Sequence, residues 1–431
     1  MKKNVLIACL CLISLNSLFA QDSFKVMFYN LLNFPYQTNA TNRINDLEVI
    51  LNDYQPDIFM VCELNNIEGA NSILQMIQQN INPNFAMATF VDNTSDDAGS
   101  DQNDLQNLMF YDSSKFSIDS EAIISTTIRD FNHYKLKLNT NNQVASPIFL
   151  DLVVCHLKSA SGTTNQNKRL AMVQQLTSYL NNIPNDSYVL LGGDLNLYRS
   201  TEPAFIELTN TTNNITFTDP ANRLGNWTYG DAFLDVFTQS TRSQTGGGGA
   251  SGGFDDRFDF ILSSTNLLDY SNNSELVYSP NTYQAYGNNS NQNCYNKDIN
   301  SADCDIDGDI NTPDFSLQIR NALYNFSDHL PVTLELQLNQ TFLSVPEFNA
   351  SNFYEIIGTN ITSNQLHLRA NANQINSNKL YIYNPLGQIV KTIILDNTDN
   401  HRINVSTLSN GLYYITTPNL NVEPLKFIKS N

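Results

Sequence analysis

The stretch VLLGGDLN at residues 189–196 predicts a buried strand that opens into a loop. Apolar residues and two glycines precede a carboxylate and a carboxamide, which lie two residues apart. Because side chains alternate along an extended chain, Asp194 and Asn196 are expected to point the same way where the strand ends. A strand followed by Asp and Asn is more often a capping turn than a site. Its meaning therefore depends on whether similar strand ends recur in the chain.

The composition is typical of a globular protein with two or three domains, since 41% of the 431 residues are hydrophobic and 15% are charged. Residues 1–20 carry Lys2, Lys3, an apolar run and a final Ala20, a pattern that predicts a secretory signal peptide too short to span a membrane. Cleavage would remove two lysines and no acid, which changes the formal net charge from −19 to −21. So acidic a chain does not attract a polyanion by bulk charge.

Four cysteines remain after the predicted cleavage. Cys294 and Cys304 lie in a polar loop and could form a disulfide in an oxidising compartment. Cys62 and Cys155 lie in apolar strands, where a buried free thiol is the more frequent state.

Strands and helices alternate over the first half of the chain, which indicates an α/β architecture. Several of the predicted strands end on a polar residue. These ends, with the residues beside them, are Asn30, Glu63, His156, Asp194 and Asn196. Two further polar sites lie near strands. Asp259 sits between Phe258 and Phe260 within a strand and therefore needs a partner, and Asp328 and His329 directly precede an alternating strand.

Together these side chains supply what hydrolysis of a phosphate ester requires. The reaction needs a cation on the phosphoryl oxygens, a base that activates water, and donors aimed at the charge of the transition state. Glu63 with Asp328, joined by Asn30 or Asp194, forms an oxygen-rich set that suits Mg²⁺, Mn²⁺ or Ca²⁺ rather than zinc. His329, backed by a carboxylate, would be a base or an electrostatic element.

Six segments occur in a characteristic order: FYNLLNF, VCEL, VCHLKS, GGDLN, RFDFIL and SDHLPV. In this order they resemble the endonuclease/exonuclease/phosphatase superfamily, which includes DNase I-like nucleases and sphingomyelinase-like phosphodiesterases. The resemblance covers about residues 24–338. It implies a four-layered α/β sandwich, in which two mixed β-sheets lie face to face with helices outside, and a catalytic domain over residues 21–340.

The resemblance also implies a metal site. By this likeness, Glu63 is the metal carboxylate and Asn30 lies beside it. Asp328 lies at the metal or between the metal and His329.

The remaining roles that the resemblance implies concern the substrate. His156 donates to the phosphate, Lys158 holds a phosphate oxygen, and Asp194 and Asn196 orient the attacking water and the scissile phosphate. Asp259 pairs with the imidazole of residue 329. The motif leaves open whether His329 or Asp194 is the general base.

An insertion over residues 264–326 departs from the superfamily pattern and leaves the choice of substrate open. Within it, residues 303–314 have the spacing of an EF-hand-like loop, which predicts a structural Ca²⁺ site. The residues concerned are Asp303, Asp305, Asp307, Asp309 and Asp314, with Gly308 at the sixth position. Asp in place of Glu at position 12 departs from the motif, and a solvated acidic loop is the alternative.

The composition changes near residue 341, where short alternating stretches predict a small all-β sandwich over residues 341–431. The segments KLYIYNPLGQIVKT, INVSTLSNGLYYI and KFIK resemble the C-terminal sorting domain of the type IX secretion system of Bacteroidota. This resemblance implies that the type IX machinery is a partner. A β-sandwich module that binds carbohydrate is the alternative.

The sequence thus predicts a secreted or cell-surface, monomeric, metal-dependent phosphodiesterase without a transmembrane segment, with nucleic acid as its expected substrate. Alternatives are a sphingomyelinase-like or small-molecule phosphodiesterase or phosphatase, and an inactive, calcium-stabilised binding protein. Phosphate contacts would need cations, and the available ones are Lys158, Lys168, Arg169, Arg199, Arg223, Arg242 and Arg257.

Overall fold

The computed structural model describes residues 22–37, 42–94, 105–271, 274–305, 315–343, 354–370, 379–395, 398, 400–416 and 424–430. The chain divides into two compact units, Met1–Leu343 and Ser344–Asn431. The predicted signal peptide falls outside the described residues. Among the helices that are described, none is long and apolar enough to cross a membrane.

The first unit alternates strands and helices along most of its length. Its elements are β1 (Ser23–Phe34), α1 (Arg43–Tyr54), β2 (Ile58–Leu64), α2 (Ile67–Asn80), β3 (Phe85–Met87), β4 (Gln106–Asp112), β5 (Phe116–Ile124), β6 (Phe131–Leu138), β7 (Phe149–His156), α3 (Thr163–Leu180), β8 (Val189–Asp194), α4 (Pro203–Leu208), β9 (Phe217–Thr218), β10 (Asp259–Ser264), β11 (Leu276–Tyr278), β12 (Gln284–Ala285), α5 (Leu317–Phe326) and β13 (Val332–Leu338).

Two mixed sheets form the centre of this unit. The first sheet has the strand order β11-β13-β1-β2-β4-β3, with β12 also paired to β13, and the second has the order β5-β6-β7-β8-β10-β9. Strands β1 and β2 run parallel, as do β7 and β8, whereas β1 and β13 run antiparallel, as do β8 and β10. Because parallel neighbours end at the same edge of a sheet, the ends of β1 and β2 lie together, and so do those of β7 and β8.

The alternation of side chains in β7 shows how the layers stack. Leu152 and Val154 belong to a core that contains the first sheet with α1, α2 and α5. Val153 and Cys155 belong to a second core with α3 and α4. The α/β sandwich of two mixed sheets with helices outside is therefore confirmed.

Local sequence explains where the helices begin. The Asn66 side chain accepts a hydrogen bond from the backbone N–H of Gly69 at 2.8 Å and so caps α2. The Ser316 side chain accepts one from the Ile319 N–H at 3.4 Å and caps α5. Sequence reasoning missed α5 inside the insertion, and it also missed β6, although Tyr134, Leu136 and Leu138 alternate with polar residues.

The second unit contains only strands among its described residues, which confirms the all-β prediction. They are β14 (Tyr354–Ile356), β15 (Ile361–Thr362), β16 (Gln365–Ala370), β17 (Lys379–Tyr383), β18 (Ile389–Ile394), β19 (Asn400–Asn404), β20 (Gly411–Thr416) and β21 (Leu425–Lys429). They form sheets with the orders β14-β16-β19 and β15-β21-β20-β17-β18. The core of this unit includes Leu368, Leu380, Ile382, Ile415 and Phe427.

Buried ion pairs fix the loops of the first unit. The Arg257 guanidinium is fully buried and donates to both oxygens of Asp219, at 2.9 and 2.8 Å, and to the Tyr283 hydroxyl at 2.8 Å. It also lies 4.1 Å from the centre of the Phe260 ring. Although burial alone raises the pKa of Asp219, the charge and hydrogen bonds of Arg257 outweigh it and the pKa is lowered. Arg257 is therefore a structural residue and is not available to substrate.

We expect Arg257→Met to lower the free energy of unfolding by about 3–5 kcal/mol at neutral pH, because it leaves a buried carboxylate without its partner. Urea unfolding followed by the fluorescence of Trp227, the one tryptophan of the chain, measures the loss. Arg223→Gln is the matched control. It breaks an ion pair with Asp235 whose side chains are 38% and 42% exposed, and should cost less than about 1 kcal/mol.

The same pair predicts a pH dependence. A carboxylate whose folded pKa is lowered stabilises the fold above its unfolded pKa, which is about 3.9 for Asp, and this contribution is lost as the pH falls through the folded pKa. The difference between the wild type and Arg257→Met should therefore shrink below about pH 4. A difference that stays constant down to pH 2 would contradict this account.

Candidate active site

Three neighbouring strands of the second sheet place three polar side chains side by side. His156 ends β7 and pairs in register with Asp194, which ends β8. Asp194 in turn pairs with Asp259, the first residue of β10. All three are buried, with 4%, 2% and 0% of their surfaces exposed. The strand end that the sequence singled out is therefore the centre of a row of acidic and imidazole side chains.

The first sheet contributes Asn30 from β1 and Glu63 from β2. The Asn30 amide donates to Glu63 Oε1 at 3.0 Å and to Asp194 Oδ2 at 3.2 Å, so one side chain joins the two sheets. The backbone N–H of Asn33 donates to Glu63 Oε2 at 3.2 Å. Glu63 has a φ of 55°, and the pairing of β2 with both neighbours is irregular at this point. Such strained backbone is frequent at functional sites.

His329 enters the site from the turn before β13. The Ser327 hydroxyl donates to the backbone carbonyl of Asn30 at 2.8 Å and accepts from the N–H of His329 at 3.1 Å, which fixes this turn on β1. The His329 Nδ1 lies 2.7 Å from Asp259 Oδ2. Its Nε2 lies 3.9 Å from Asp194 Oδ2 and 3.5 Å from the Asn30 amide nitrogen. The predicted partnership of Asp259 and His329 thus corresponds to a short contact.

Burial and mutual repulsion disfavour the charged forms of two carboxylates. Burial, followed by the charge of Asp328, raises the pKa of Glu63. Burial also raises the pKa of Asp194 to about 8, and the neighbouring charges of Asp259 and Glu63 act in the same direction. Without a cation, the site therefore favours the protonated forms of these two carboxyl groups.

The two imidazoles shift in opposite directions. Burial lowers the pKa of His156, and the nearby Arg129 lowers it further. Burial also acts to lower the pKa of His329, but Asp259 and Asp328 outweigh it, so the pKa of this ring lies well above its usual value. At neutral pH, His329 is expected to be an imidazolium and His156 a neutral ring.

The residues present fit a divalent cation. Ligand atoms of Glu63, His156 and Asp194 lie within 4.8 Å of one another, as do those of Asp194, Asp259 and His329. Within the described part of the chain, three buried atoms of the site have no hydrogen-bond partner: His156 Nδ1, Asp259 Oδ1 and Asp328 Oδ1. Buried acceptors without donors are costly. Carboxylate oxygens beside an imidazole suit Mg²⁺ or Mn²⁺.

Asn196 and Lys158 border this cluster. The Asn196 backbone N–H donates to Asp194 Oδ1 at 3.1 Å, and its side-chain amide donates to the Leu157 carbonyl at 3.3 Å. Lys158 is half-buried, and its charge acts on the His156 ring. Leu195, between Asp194 and Asn196, is buried in the second core.

Asp328 is held by a glycine-rich loop, residues 246–253. The backbone N–H of Ala250 donates to Asp328 Oδ2 at 2.6 Å, and the Gln239 side chain donates to the same oxygen at 3.2 Å. A Cβ atom at Gly249, which has a φ of 71°, would meet this carboxylate at 2.4 Å. Asp328 lies 3.9 Å from the Nε2 atom of His329 and belongs to neither of the two groups described above.

Among the described residues, no cysteine and no acid of the predicted Ca²⁺ loop belongs to the two groups of possible metal ligands. A disulfide joins Cys294 and Cys304, whereas Cys62 and Cys155 are buried free thiols. Asp303 lies 3.9 Å from Lys297, and Asp305 pairs with Arg320. The remaining residues of the proposed Ca²⁺ loop, Asp307, Asp309 and Asp314, lie outside the described residues, so calcium binding stays a prediction.

Sequence reasoning missed two residues beside the cluster. Arg129 is buried and donates to the carbonyls of His156 and Leu157 at 3.3 and 3.2 Å. The Nε2 of Gln239 lies 2.5 Å from that of His329. Neither residue belongs to a recognisable motif.

Comparison with known proteins finds one matching family and several similar solved structures. Residues 359–428 match the family of secretion system C-terminal sorting domains, which confirms the predicted resemblance and indicates export. No curated protein sequence matches the chain.

Among solved structures, the chain resembles the human Nocturnin catalytic domain, with 14% identity and a TM-score of 0.45, over 74% of this chain and 98% of that one. It resembles an endonuclease/exonuclease/phosphatase family protein from Bacteroides thetaiotaomicron, with 13% identity and a TM-score of 0.42, over 74% and 100%. It also resembles D. rerio TDP2 complexed with a single-strand DNA product, with 14% identity and a TM-score of 0.43, over 73% and 98%.

We expect His329 in the metal-free protein to titrate well above the usual range of histidine, because Asp259 stabilises the imidazolium. Nuclear magnetic resonance of ¹⁵N-labelled histidines measures this directly. Asp259→Asn should lower the pKa of His329, whereas the signal of His133, which pairs with Asp151 elsewhere in the second sheet, should not change. Titration of wild-type His329 near pH 6.5, the usual value for histidine, would refute this assignment.

Proposed function

We propose that the chain is an exported, divalent-metal-dependent phosphodiesterase whose substrate is nucleic acid. The observation that carries this proposal is the convergence of Glu63, Asp194 and His156 within one cluster, with unsatisfied buried acceptors beside it. These residues come from separate strands of two sheets. Ordinary packing does not favour burying several carboxylates together, whereas phosphoryl transfer requires a cation held by such groups.

The proposed metal ligands are Glu63 and Asp194, with the Asn30 amide holding one oxygen of each. A cation bound there would draw charge from a phosphoryl oxygen and favour ionisation of water. Asp328 was also predicted at the metal. Its contacts with Ala250 and Gln239 favour the second predicted position, in which it lies between the metal and His329.

Asp194 is the better candidate for the general base. A base needs an acceptor beside the attacking water. A carboxylate has two oxygens, so one oxygen of Asp194 could hold the cation while the other accepts the proton. Asp259 and Asp328 favour the protonated form of His329, and a protonated imidazole has no lone pair with which to act as a base. In the proposed reaction, water loses a proton to Asp194 as its oxygen bonds to phosphorus, and the bond from phosphorus to the leaving oxygen breaks.

His329, His156 and Lys158 would act on the phosphate. The His329 imidazolium offers its Nε2–H to a phosphoryl oxygen that gains charge in the transition state, while Asp259 holds the ring. Neutral His156 donates through one ring nitrogen, and Asn196 positions the substrate beside Asp194. The phosphate of a lipid or small-molecule phosphodiester would contact the same side chains. The choice of nucleic acid as substrate therefore depends on features outside this cluster.

For export, we propose the type IX machinery as the partner of the C-terminal unit. The match of residues 359–428 to secretion sorting domains supports this assignment. The alternative of a carbohydrate-binding module predicts retention on polysaccharide instead.

We expect Glu63→Gln and His329→Ala each to reduce hydrolysis of single-stranded DNA by at least about 10²-fold while the protein stays folded, because each removes charge used in the transition state. Steady-state rates in Mg²⁺, with EDTA as the metal-free reference, measure the effect. His133→Ala is the matched control, since it removes another buried histidine that is bonded to a carboxylate. Full activity of either site variant would contradict the assignment. Wild-type activity on sphingomyelin but not on DNA or RNA would favour the lipid alternative.

The cation itself should stabilise the fold. Mg²⁺ or Mn²⁺ at 100 times its Kd should raise the free energy of unfolding by about 2.7 kcal/mol, because it binds the folded state alone. Thermal unfolding with and without the ion checks this, and Glu63→Gln should abolish the shift. A shift of the same size in the variant would place the ion elsewhere.

Deleting residues 345–431 should leave the protein in the periplasm, because the sorting signal is lost. Immunoblots of periplasmic and extracellular fractions measure the distribution. A matched chain with Leu386→Ala, which changes a side chain that is 83% exposed in this unit, serves as a folding control. Normal export of the truncated chain would contradict the sorting role.

A further inference from the structure

A groove of about 370 Å³ lies beside the strand end that carries Asp194 and Asn196. Its lining includes Thr163, Gln166, Tyr198, Arg199, Asn226 and Tyr229. Tyr198 and Arg199 follow Asn196 almost directly in the chain. The opposite wall begins three residues after Lys158, at Ser161. The groove therefore continues from the two segments that carry proposed substrate-binding residues.

The walls of this groove are tied firmly to the cluster. The Tyr198 ring packs against Phe258 with their centres 5.2 Å apart, and Phe258 is the residue before Asp259. The backbone carbonyl of Phe258 accepts a hydrogen bond from the N–H of Leu195 at 2.8 Å. Arg169 joins the walls, because it donates to the carbonyls of Lys158 and Ala160 and to the Glu202 carboxylate. A ligand in the groove would thus have a fixed position relative to Asp194.

Arg199 is the feature that points to an anion. In residues 22–343, it is the one arginine whose guanidinium has no hydrogen-bond or ion-pair partner among the residues that the structure describes. The others bond to carboxylates or to backbone carbonyls: Arg43, Arg129, Arg169, Arg223, Arg242, Arg257 and Arg320. Arg199 is exposed at the groove. In a chain with a net charge of −19, such a cation gives local attraction to a phosphate.

Tyr229 is the feature that points to a base. Its side chain is 82% exposed, more than that of any other Tyr, Phe or Trp that the structure describes. The segment that leads to it is nevertheless anchored, because the N–H of Trp227 donates to the Tyr198 carbonyl at 2.9 Å and the N–H of Ser200 donates to the Gly225 carbonyl at 2.8 Å. Trp227 is buried against Phe205 and Phe260. An exposed ring close to a fixed backbone offers a surface on which an unpaired base can stack.

We propose that this groove is a nucleotide subsite for single-stranded DNA or RNA, in which Arg199 binds a phosphate next to the scissile one and Tyr229 stacks on a base. This inference rests on the proposed phosphodiesterase function and specifies its substrate. A paired base is not free to stack on a side chain, so the subsite selects single strands over duplexes. A sphingomyelin headgroup has no base for Tyr229.

Binding without turnover provides the first test. Fluorescence anisotropy of a labelled single-stranded oligonucleotide, recorded with the mature chain in EDTA, should give a Kd about tenfold higher for Arg199→Gln and for Tyr229→Ala, which corresponds to about 1.4 kcal/mol. Lys297→Gln and Tyr270→Ala are matched controls on an exposed cation and an exposed ring outside the groove, and they should bind like the wild type. Unchanged affinity of both groove variants, or equal wild-type affinity for the duplex, would overturn the proposal.

Kinetics in Mg²⁺ provide the second test. Arg199→Gln and Tyr229→Ala should raise KM for the oligonucleotide about tenfold with little change in kcat, and should leave hydrolysis of bis(p-nitrophenyl) phosphate unchanged, because this diester has no neighbouring nucleotide. Equal losses on both substrates would overturn the subsite in favour of a structural role. If the wild type hydrolyses neither the oligonucleotide nor bis(p-nitrophenyl) phosphate, the proposed function is refuted. The anisotropy measurements would still decide whether the groove binds single strands.

Discussion

Burial of several carboxylates at one point between two sheets is the constraint on which the rest of the structure depends. Glu63, Asp194, Asp259 and Asp328 each lose water that would otherwise stabilise their charges, and they repel one another. One amide, that of Asn30, and one imidazolium, that of His329, offset part of this cost. The proposed divalent cation would offset the rest. The sandwich supplies the rigidity, because Glu63, Asp194 and Asp259 lie at or next to strand ends fixed by their neighbours in the sheet, while the glycine-rich loop holds Asp328.

The residues of this cluster were largely predictable, and their relations to one another were not. Polar residues at the ends of apolar strands identified Asn30, Glu63, His156 and Asp194, because parallel strands place such ends together. The Asn30 side chain joins the two sheets only because of the way in which the sheets stack. No local sequence pattern predicts this stacking. Arg129 and Gln239 act through contacts distant in sequence. The helix α5 was missed because the insertion was interpreted by composition, although its apolar residues follow a helical period.

Most of the arginine side chains near the site hold the fold in place and do not bind substrate. Sequence reasoning counted Arg169, Arg223, Arg242 and Arg257 among the groups that could bind phosphate. The structure uses them instead in ion pairs and carbonyl contacts that hold loops in place. Among the described residues beside the cluster, Lys158 and Arg199 then remain, with the proposed metal, to provide local positive charge for a polyanion. This limits the expected contact to a short stretch of substrate and agrees with a narrow groove beside the cluster.

The central claim is that Glu63 and Asp194 share a divalent cation. Anomalous diffraction from a crystal of the mature protein soaked in Mn²⁺ tests it most directly, since manganese scatters anomalously where protein atoms do not. We expect a strong peak within coordination distance, about 2.0–2.6 Å, of carboxylate oxygens of both residues. A peak confined to other acids, such as those of the 303–314 loop, or no peak between the sheets, would contradict it.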